Sequence, residues 1–392
     1  MTSHQQSDNL ERAGELLPPS SDTAPAPSVG HVPEELVREI MKLTMQGHVG
    51  DLDPTQPPLA FLKVCRTWKT IAESIPSLWS GIAITPPHFL RANLPVVKKW
   101  LRRSGSTRLQ VGIYAPLTIR PALLNEMIAV FLPTSHRWEC LNLGIPVHSL
   151  QVLLNAPLPS LETLIVSLNI QPIIAVSPTA TRLRNVHLSV YPPLITPDGG
   201  LLYLGWNHIT HLVITSVAGT IEDIWNIFPR CPCLVSLNVM ASNNHATPFI
   251  PYFPHRPFYS NRLTQLIVST NSRPGVIGYF LDGLYLPALQ DLQLRFTDRV
   301  YDTHAWPRAA ILDLRRRALP LLSMLCVRGK TIAEEDLCGF VLEMKYLERL
   351  DVNDGTNDLV TQAVLNLLPQ DEAAVRRQRE AHRQELRFHD RI

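Results

Sequence analysis

The sequence has few charged residues, and it lacks the patterns typical of nucleic-acid-binding, membrane and secreted proteins. Asp, Glu, Lys and Arg make up 18% of its 392 residues, and the formal net charge is only +2. Lys and Arg are spread along the chain, so no basic cluster indicates a nucleic-acid or membrane surface. No apolar run approaches the length that crosses a bilayer, and no secretory signal is visible at the start. These absences predict a soluble cytoplasmic or nuclear protein with neither a nucleic-acid nor a membrane partner.

The sequence contains few cysteines and few catalytic motifs. The six Cys are scattered, mostly inside apolar stretches, which favours buried thiols over a disulfide framework. Cys231 and Cys233 could form half of a metal site, but no second Cys or His pair lies at a suitable distance, so a structural corner is favoured. No nucleophile-elbow, Walker or dinucleotide-binding motif is present. The sequence therefore predicts no metal, no cofactor and no enzymatic activity.

One short stretch matches an enzyme signature. Asp51, Asp53 and Thr55 have the Asp-x-Asp-x-Thr spacing of haloacid-dehalogenase-type phosphatases. In those enzymes the first Asp is the nucleophile, the second is the acid, and the pair ends a buried strand. Residues 46–50 do not have the pattern of a buried strand, and two prolines follow at 57–58. We therefore favour a loop, and keep an unrecognised hydrolase as the last-ranked alternative.

Two amphipathic helices are predicted near the start. Residues 1–28, rich in Ser, Pro and Ala, are expected to be a disordered tail. Pro33 and two following glutamates predict a helix start, and apolar residues then recur at helical spacing: Leu36, Val37, Ile40 and Leu43. After a loop over 47–58, a second helix is predicted from about Leu59 to Ala72, with apolar residues every third position: Leu59, Leu62, Cys65, Trp68 and Ile71.

These helices carry more apolar surface than they can bury themselves. The unit over 31–82 is short, and small units have an unfavourable ratio of surface to volume. A partner or the next domain must cover the excess. Trp68 and Trp79 are the largest apolar side chains involved. Either could anchor a partner, or pack against the following repeat instead.

A different pattern fills the rest of the chain. Leu-x-x-Leu-x-Leu, with aliphatic substitutions, recurs nine times at intervals of 22 to 33 residues. Its first anchors are Trp138, Leu161, Leu183, Ile209, Leu234, Leu263, Leu289, Leu322 and Leu347. A degenerate earlier copy uses Leu109, Val111 and Ile113. Segments between the copies read as helices at 147–155, 220–228, 276–284 and 333–345.

This periodicity predicts a stack of short units. Each copy reads as one strand, a turn and a return segment, and stacked units share a continuous core that one unit cannot form. The predicted fold class is α/β: a small N-terminal helical module (29–84) followed by an irregular solenoid with one parallel curved sheet (85–370). The charged segment over 371–392 is expected to be a solvated helix or a frayed tail.

The N-terminal module resembles an F-box, the helical module that docks on the Skp adaptor of cullin-based ubiquitin ligases. Residues 32–36 (Val-Pro-Glu-Glu-Leu) match the opening of the family pattern, with Val32 in place of the usual Leu. Residues 64–68 (Val-Cys-Arg-Thr-Trp), followed by Ile71 and Ala72, match its closing half. The later copies resemble leucine-rich repeats, although the Asn that often follows the strand is present only at Asn169 and Asn271.

The resemblance implies a non-catalytic adaptor subunit. Its F-box would dock a Skp-type adaptor, and through it a cullin, using Pro33, Leu36, Val37, Ile40, Leu59, Leu62, Val64, Cys65, Arg66 and Trp68. The repeats would bind an unknown protein target on the concave face of the sheet, using Asn142, His187, His211, Asn238, Gln293, Arg295, Arg328, Arg349 and Asp351. Charge on that face is confined to the last three repeats. A leucine-rich-repeat scaffold that no longer binds the adaptor is the alternative.

Overall fold

The computed structural model shows a mixed α/β fold. The residues that it describes are 32–116, 118–168, 174–190, 202–203, 205–215, 225, 228–241, 258–270, 274–297, 308–318, 321–329, 332–344, 347–353, 359, 361, 364 and 366–368. The predicted tails over 1–28 and 371–392, and both Asn169 and Asn271, lie outside these ranges. So does most of the predicted helix over 220–228.

Nine α-helices lie in the described part of the chain. They are α1 (Glu34–Met45), α2 (Phe61–Val64), α3 (Arg66–Ser74), α4 (Leu94–Arg103), α5 (Pro121–Phe131), α6 (Val147–Leu154), α7 (Pro274–Asp282), α8 (Arg308–Ala318) and α9 (Glu334–Glu343). Among the residues described, none of the helices combines the length and apolarity needed to span a membrane.

Sixteen strands are present in the same ranges. They are β1 (Gly50–Asp51), β2 (Gly81–Ile84), β3 (Leu109–Tyr114), β4 (Trp138–Gly144), β5 (Thr163–Leu168), β6 (Ile174–Ala175), β7 (Asn185–Val190), β8 (Leu202–Tyr203), β9 (His211–Thr215), β10 (Ser236–Ala241), β11 (Phe258–Tyr259), β12 (Gln265–Thr270), β13 (Leu284–Tyr285), β14 (Asp291–Phe296), β15 (Met324–Arg328) and β16 (Arg349–Asn353). Twelve of them form one parallel sheet, in the order β1-β2-β3-β4-β5-β7-β9-β10-β12-β14-β15-β16. The remaining four form two small parallel pairs, β6 with β8 and β11 with β13.

The Leu-x-x-Leu-x-Leu motif explains this sheet. The second and third anchors of each copy alternate with other residues and are buried, as in β4, where Leu141 and Leu143 are fully buried. In-register pairing sets each anchor beside its counterpart, so that Leu141 pairs with Leu164 and Leu164 with Val186. The apolar positions therefore run across the sheet as continuous buried rows. The nine predicted strand cores and the degenerate copy, on β3, are confirmed, and the arrangement is consistent with a solenoid-like α/β fold.

Three predicted return helices are also confirmed. Helices α6, α7 and α9 occupy the segments predicted from the pattern between copies. Because every strand runs in the same direction, each connection must cross back over one face. Helical residues such as Leu150 and Phe280 are buried in the same cluster as the strand anchors.

The second predicted helix is interrupted. Cys65 has an extended backbone, with φ of −161° and ψ of 173°, which ends α2 and starts α3. The Cys65 side chain accepts a hydrogen bond from the backbone N–H of Trp68 at 3.5 Å, and so caps α3. The single helix predicted from about Leu59 to Ala72 was wrong in this respect, because apolar spacing of three continues across the break.

The sheet begins inside the N-terminal segment. Strand β1 lies in the loop predicted over 47–58, and it pairs with β2 through Gly50 with Ile82 and Asp51 with Ala83. Gly50 is buried, and a Cβ at this position would lie 2.6 Å from the Trp100 ring. The absence of a side chain at Gly50 therefore lets α4 approach β1. The helices at the start and the sheet share one continuous core.

Candidate functional site

Exposed apolar side chains are concentrated on the first helices. Of eleven large apolar residues that are exposed in the described part of the chain, six precede residue 65, with 43–65% of their surface accessible: Val32, Leu36, Ile40, Leu43, Val49 and Val64. Scattered exposed apolar residues are normal, but a group on neighbouring elements is a feature of interaction surfaces.

Helix α1 has two apolar faces. Val37 and Met41 are buried against the rest of the molecule. Leu36, Ile40 and Leu43 project to solvent from a different side of the helix, one helical turn apart. Two salt bridges lie on the helix surface, Arg38 with Glu34 at 2.5 Å and Lys42 with Glu39 at 2.8 Å. The amphipathic pattern of the sequence thus accounts for one face, and the other face has no partner among the described residues.

A groove adjoins the apolar stripe of α1. It has a volume of about 330 Å³ and lies between the start of α1 and α3. Its lining includes Val32, Val37, Val64, Trp68 and Ile71. The Trp68 ring is half-buried and packs against Phe61, with 6.1 Å between ring centroids. We refer to the stripe (Leu36, Ile40, Leu43), Val64 and this groove together as the N-terminal apolar surface.

Positive charge borders the N-terminal apolar surface. Lys63, Arg66 and Lys69 are exposed on α2 and α3, and none of them forms an ion pair within the residues that the structure describes. Arginine and lysine at the edge of an apolar patch favour a partner with carboxylates at matching positions. The surface therefore has an apolar centre and three basic residues at its edge, and one carboxylate, that of Glu34, also lines the groove and pairs with Arg38.

The structure brings the predicted adaptor-binding residues together on these elements. Six of them are exposed: Pro33, Leu36, Ile40, Val64, Cys65 and Arg66. Leu59, Leu62 and Trp68 are partly buried against the core, and Val37 is buried while still lining the groove. Sequence reasoning did not assign Leu43, Lys63 or Lys69 to the site. Leu43 belongs to the helical stripe and could have been included on that ground.

Trp79 packs inside the molecule. Its side chain is fully buried, its ring meets Trp100 edge-on with 5.1 Å between centroids, and its indole N–H donates to the carbonyl of Ala72 at 2.9 Å. The Arg103 guanidinium lies 4.5 Å from the ring centroid. Of the two interpretations left open by the sequence, packing within the chain is confirmed for Trp79.

The predicted target-binding residues lie on the face of the sheet opposite the buried leucine rows. This is the face predicted from the sequence to be concave, and it is called the outer face below. Residue pairing puts Asn142, His187, Asn238, Gln293 and Asp351 in one row across the sheet. His211 and Arg349 belong to a second row, and Arg295 and Arg328 to a third. From β3 to β12, no described position of these three rows carries Asp, Glu, Lys or Arg. Glu139, near the start of β4 and outside the rows, pairs with Arg108 at 2.9 Å.

The charged end of the outer face is internally hydrogen-bonded. The Asp291 carboxylate accepts from the amides of Gln265 and Gln293 at 2.7 Å and 3.1 Å. Arg295 donates to the side-chain oxygen of Gln293 at 2.7 Å. Arg328 forms an ion pair with Asp351 at 2.5 Å. Gln293 is itself 92% shielded from solvent, since only 8% of its surface is accessible. Gln293 therefore positions its neighbours and is not free to bind a ligand.

The Arg328–Asp351 pair can be tested by titration. The hydrogen bond from Arg328 lowers the pKa of the Asp351 carboxyl below its ordinary value. The pair therefore contributes fully above the ordinary Asp pKa of about 3.9, and its contribution is lost as the pH falls through the lowered value. We expect NMR titration to show that Arg328→Gln raises the pKa of Asp351 back towards the ordinary value. An unchanged pKa in the variant would contradict the assigned cause.

The phosphatase-like stretch is occupied by local contacts. Asp51 does end a strand, unlike the loop predicted from the sequence, but its carboxylate lies 2.8 Å from Nδ1 of His88. Asp53 accepts from the backbone N–H and the hydroxyl of Thr55 at 2.8 Å and 2.7 Å, and the backbone bond lowers the pKa of this carboxyl. An acid that protonates a leaving group requires a raised pKa. The geometry at Asp53 therefore favours a turn over a catalytic pair.

Cys231 is buried, and burial raises the pKa of its thiol to about 12. Among the described residues, no group of three or more His, Cys, Asp or Glu side chains is placed to hold a metal ion. The corner that was favoured at Cys231 and Cys233 leads directly into β10.

Comparison with known proteins does not extend these observations. No protein-family model matches the chain, and no curated protein matches it by sequence.

Proposed function

We propose that this chain is the substrate-recognition subunit of a Skp–cullin–F-box ubiquitin ligase. The N-terminal apolar surface docks the adaptor, and the outer face of the sheet binds a protein target. The observation that carries the proposal is the second apolar face of α1, where Leu36, Ile40 and Leu43 are 47–65% exposed. These residues adjoin the segments whose sequence resembles the opening and closing halves of an F-box.

The proposed docking surface has the composition of a protein interface. The half-buried Trp68 beside the groove is of the residue type that dominates binding energy at interfaces, at about 2 kcal/mol or more for an anchor, and the exposed aliphatic stripe adds apolar area around it. Lys63, Arg66 and Lys69 at its edge favour an adaptor with acidic residues there. Polar residues at the edge select the partner, and the apolar centre supplies affinity.

The subunit would perform no bond-making chemistry. It would hold a target close to a ubiquitin-loaded enzyme recruited separately by the cullin, in the cytoplasm or nucleus. The contribution of such a subunit is a raised effective concentration of the target. The continuous core between the first helices and the sheet supports this role, because it fixes the docking surface relative to the outer face.

Adaptor co-purification tests the proposal. Leu36→Asp and Ile40→Asp place a charge in the apolar stripe and are expected to reduce recovery of a Skp-type adaptor at least tenfold, since an unpaired charge in an interface costs several kcal/mol. Leu342→Asp is the matched control, because Leu342 is 63% exposed on α9, away from the first helices. Equal recovery with all three variants would refute the docking surface.

A scaffold that no longer binds the adaptor is the second candidate. This candidate is favoured by the segment between α1 and α2, which contains β1. The segment is longer than the connection between the corresponding helices of a typical F-box. In that case the wild-type chain would recover no adaptor, while the outer face would keep its target. The same co-purification therefore separates the two candidates.

A further inference from the structure

The charged end of the outer face contains an arginine with unused hydrogen-bonding capacity. Arg295 is half-buried on β14, and its Nε–H is buried without a hydrogen-bond partner among the residues that the structure describes. Within those residues, its guanidinium donates one hydrogen bond, from Nη2 to the uncharged amide of Gln293. Buried donors are normally satisfied, and leaving one unpaired is costly. An anion bound beside Arg295 would satisfy this donor.

Arg328 lies beside Arg295 on the neighbouring strand. The two residues are register partners in β14 and β15, so their Cα atoms are about 5 Å apart. Arg328 forms an ion pair with Asp351, whereas Arg295 has no carboxylate partner in the described part of the chain. Paired guanidinium groups suit planar bidentate recognition of an oxyanion.

The charge balance distinguishes between a carboxylate and a phosphate. Arg295, Arg328 and Arg349 lie on the last three strands together with Asp291 and Asp351, which leaves a single net positive charge. A carboxylate matches that charge. A phosphomonoester carries about −1.5 to −2 at neutral pH and would be repelled by the two aspartates.

The uncharged part of the outer face has a regular spacing. Asn142 on β4, His187 on β7 and Asn238 on β10 occupy one row and fall on every second strand of the sheet. Ile165 and Val213 occupy the same row on the two strands in between. Burial lowers the pKa of His187, so its imidazole is neutral at physiological pH and can hydrogen-bond like the two amides.

This spacing matches one peptide conformation. Strands about 4.8 Å apart put every second strand about 9.6 Å away. Side chains on the same side of a polyproline-II helix recur every three residues, an advance of about 9.3 Å. Side chains on the same face of a β-strand recur every two residues, an advance of about 6.8 Å. Strand β14 lies two strands beyond β10 and continues the same interval. Arg295 on this strand belongs to the third row, two residues (about 6.8 Å) further along β14 than Gln293, which lies in the row of Asn238.

We propose that the outer face binds an acidic peptide segment in polyproline-II conformation, lying across the strands, with an Asp or Glu carboxylate on Arg295 and Arg328. Its uncharged portion contacts Asn142, His187 and Asn238 at every third residue. The inference deepens the proposed target binding and rests on it. It assigns the class of target: a protein with an exposed, extended and acidic segment.

Selection from a library of random 12-residue peptides displayed to the full-length chain tests the inference. Selected peptides are expected to carry Asp or Glu at one recurrent position. Their affinity, measured by fluorescence anisotropy, is expected to fall about tenfold in Arg295→Gln, and about tenfold when the peptide acid is replaced by its amide. Together the two changes should weaken binding no further than either one, because they remove the same contact. Arg295→Lys keeps the positive charge but loses the two parallel N–H donors of the guanidinium, so its affinity for the peptides should be intermediate.

Controls separate this result from misfolding and from the adaptor hypothesis. Arg262→Gln changes an exposed arginine outside the sheet, before β12, and should bind the peptides normally. Leu36→Asp should also bind them normally while losing the adaptor. Proline at peptide positions between the contacts should preserve affinity, since it fixes the backbone in the required region. The inference is overturned if no acid is selected, if Arg295→Gln binds equally well, if phosphoserine binds more tightly than Glu, or if proline abolishes binding.

Discussion

Trp79→Ala is expected to lower the free energy of unfolding by about 3–5 kcal/mol, the usual cost of removing a fully buried tryptophan. The loss includes the edge-on contact with Trp100 and the hydrogen bond from the indole to Ala72. Ala72 belongs to α3 and Trp100 to α4, and the Trp100 indole in turn donates to the carbonyl of Trp79 at 3.0 Å. The substitution therefore weakens the packing between the first helices and the sheet. Urea denaturation followed by circular dichroism measures the effect.

Trp68→Ala is the matched comparison for Trp79→Ala. Trp68 is half-buried and its ring packs on Phe61 at the edge of the groove. Trp68→Ala should lower the free energy of unfolding less than Trp79→Ala does. It should reduce adaptor recovery, because the Trp68 side chain belongs to the N-terminal apolar surface. Similar unfolding curves for the two variants would show that the assignment of one tryptophan to the core and the other to the interface is mistaken.

Gly329→Ala is expected to destabilise the protein by about 2–5 kcal/mol. Gly329 follows β15 with φ of +77°, a conformation that costs other residues about 1–2 kcal/mol. A Cβ would also lie 2.0 Å from the backbone oxygen of Phe296, so the backbone would have to move, at a further cost of about 1–3 kcal/mol. Thermal or urea denaturation should show the loss.

Gly47→Ala isolates the steric part of that effect. Gly47 has nearly the same backbone angle, φ of +75°, but a Cβ there would meet nothing within 4 Å. This variant should show only the conformational cost, about 1–2 kcal/mol. If Gly329→Ala were no worse than Gly47→Ala, the close approach of β15 to Phe296 would have no energetic consequence.

Much of the sheet could be predicted from the sequence because its signal is repeated. Leu141 or Leu266 alone says little, but nine copies at similar intervals define strands, direction and register together. The same alternation assigned Asn142, His187 and Arg295 to the outer face. The hydrogen bonds among Asp291, Gln293 and Arg295 were not predictable, because they depend on which side chains the register makes neighbours.

The first part of the fold was harder to predict. Strands β1 and β2 are two and four residues long and carry no leucine motif, so only tertiary pairing defines them. The break at Cys65 was hidden because apolar spacing of three continued across it. Trp79 and Trp68 are both tryptophans near helix ends, and only the packing of α4 distinguishes the buried one from the one beside the groove.

We propose the N-terminal apolar surface as the docking site for a Skp-type adaptor. Hydrogen–deuterium exchange of the full-length chain, with and without purified adaptor, tests it most directly because it both detects binding and locates it. We expect slower exchange of backbone amides in α1 and in α2–α3 on adding the adaptor, and no change across β4 to β16. Protection confined to the sheet, or no protection anywhere at saturating adaptor, would contradict the account.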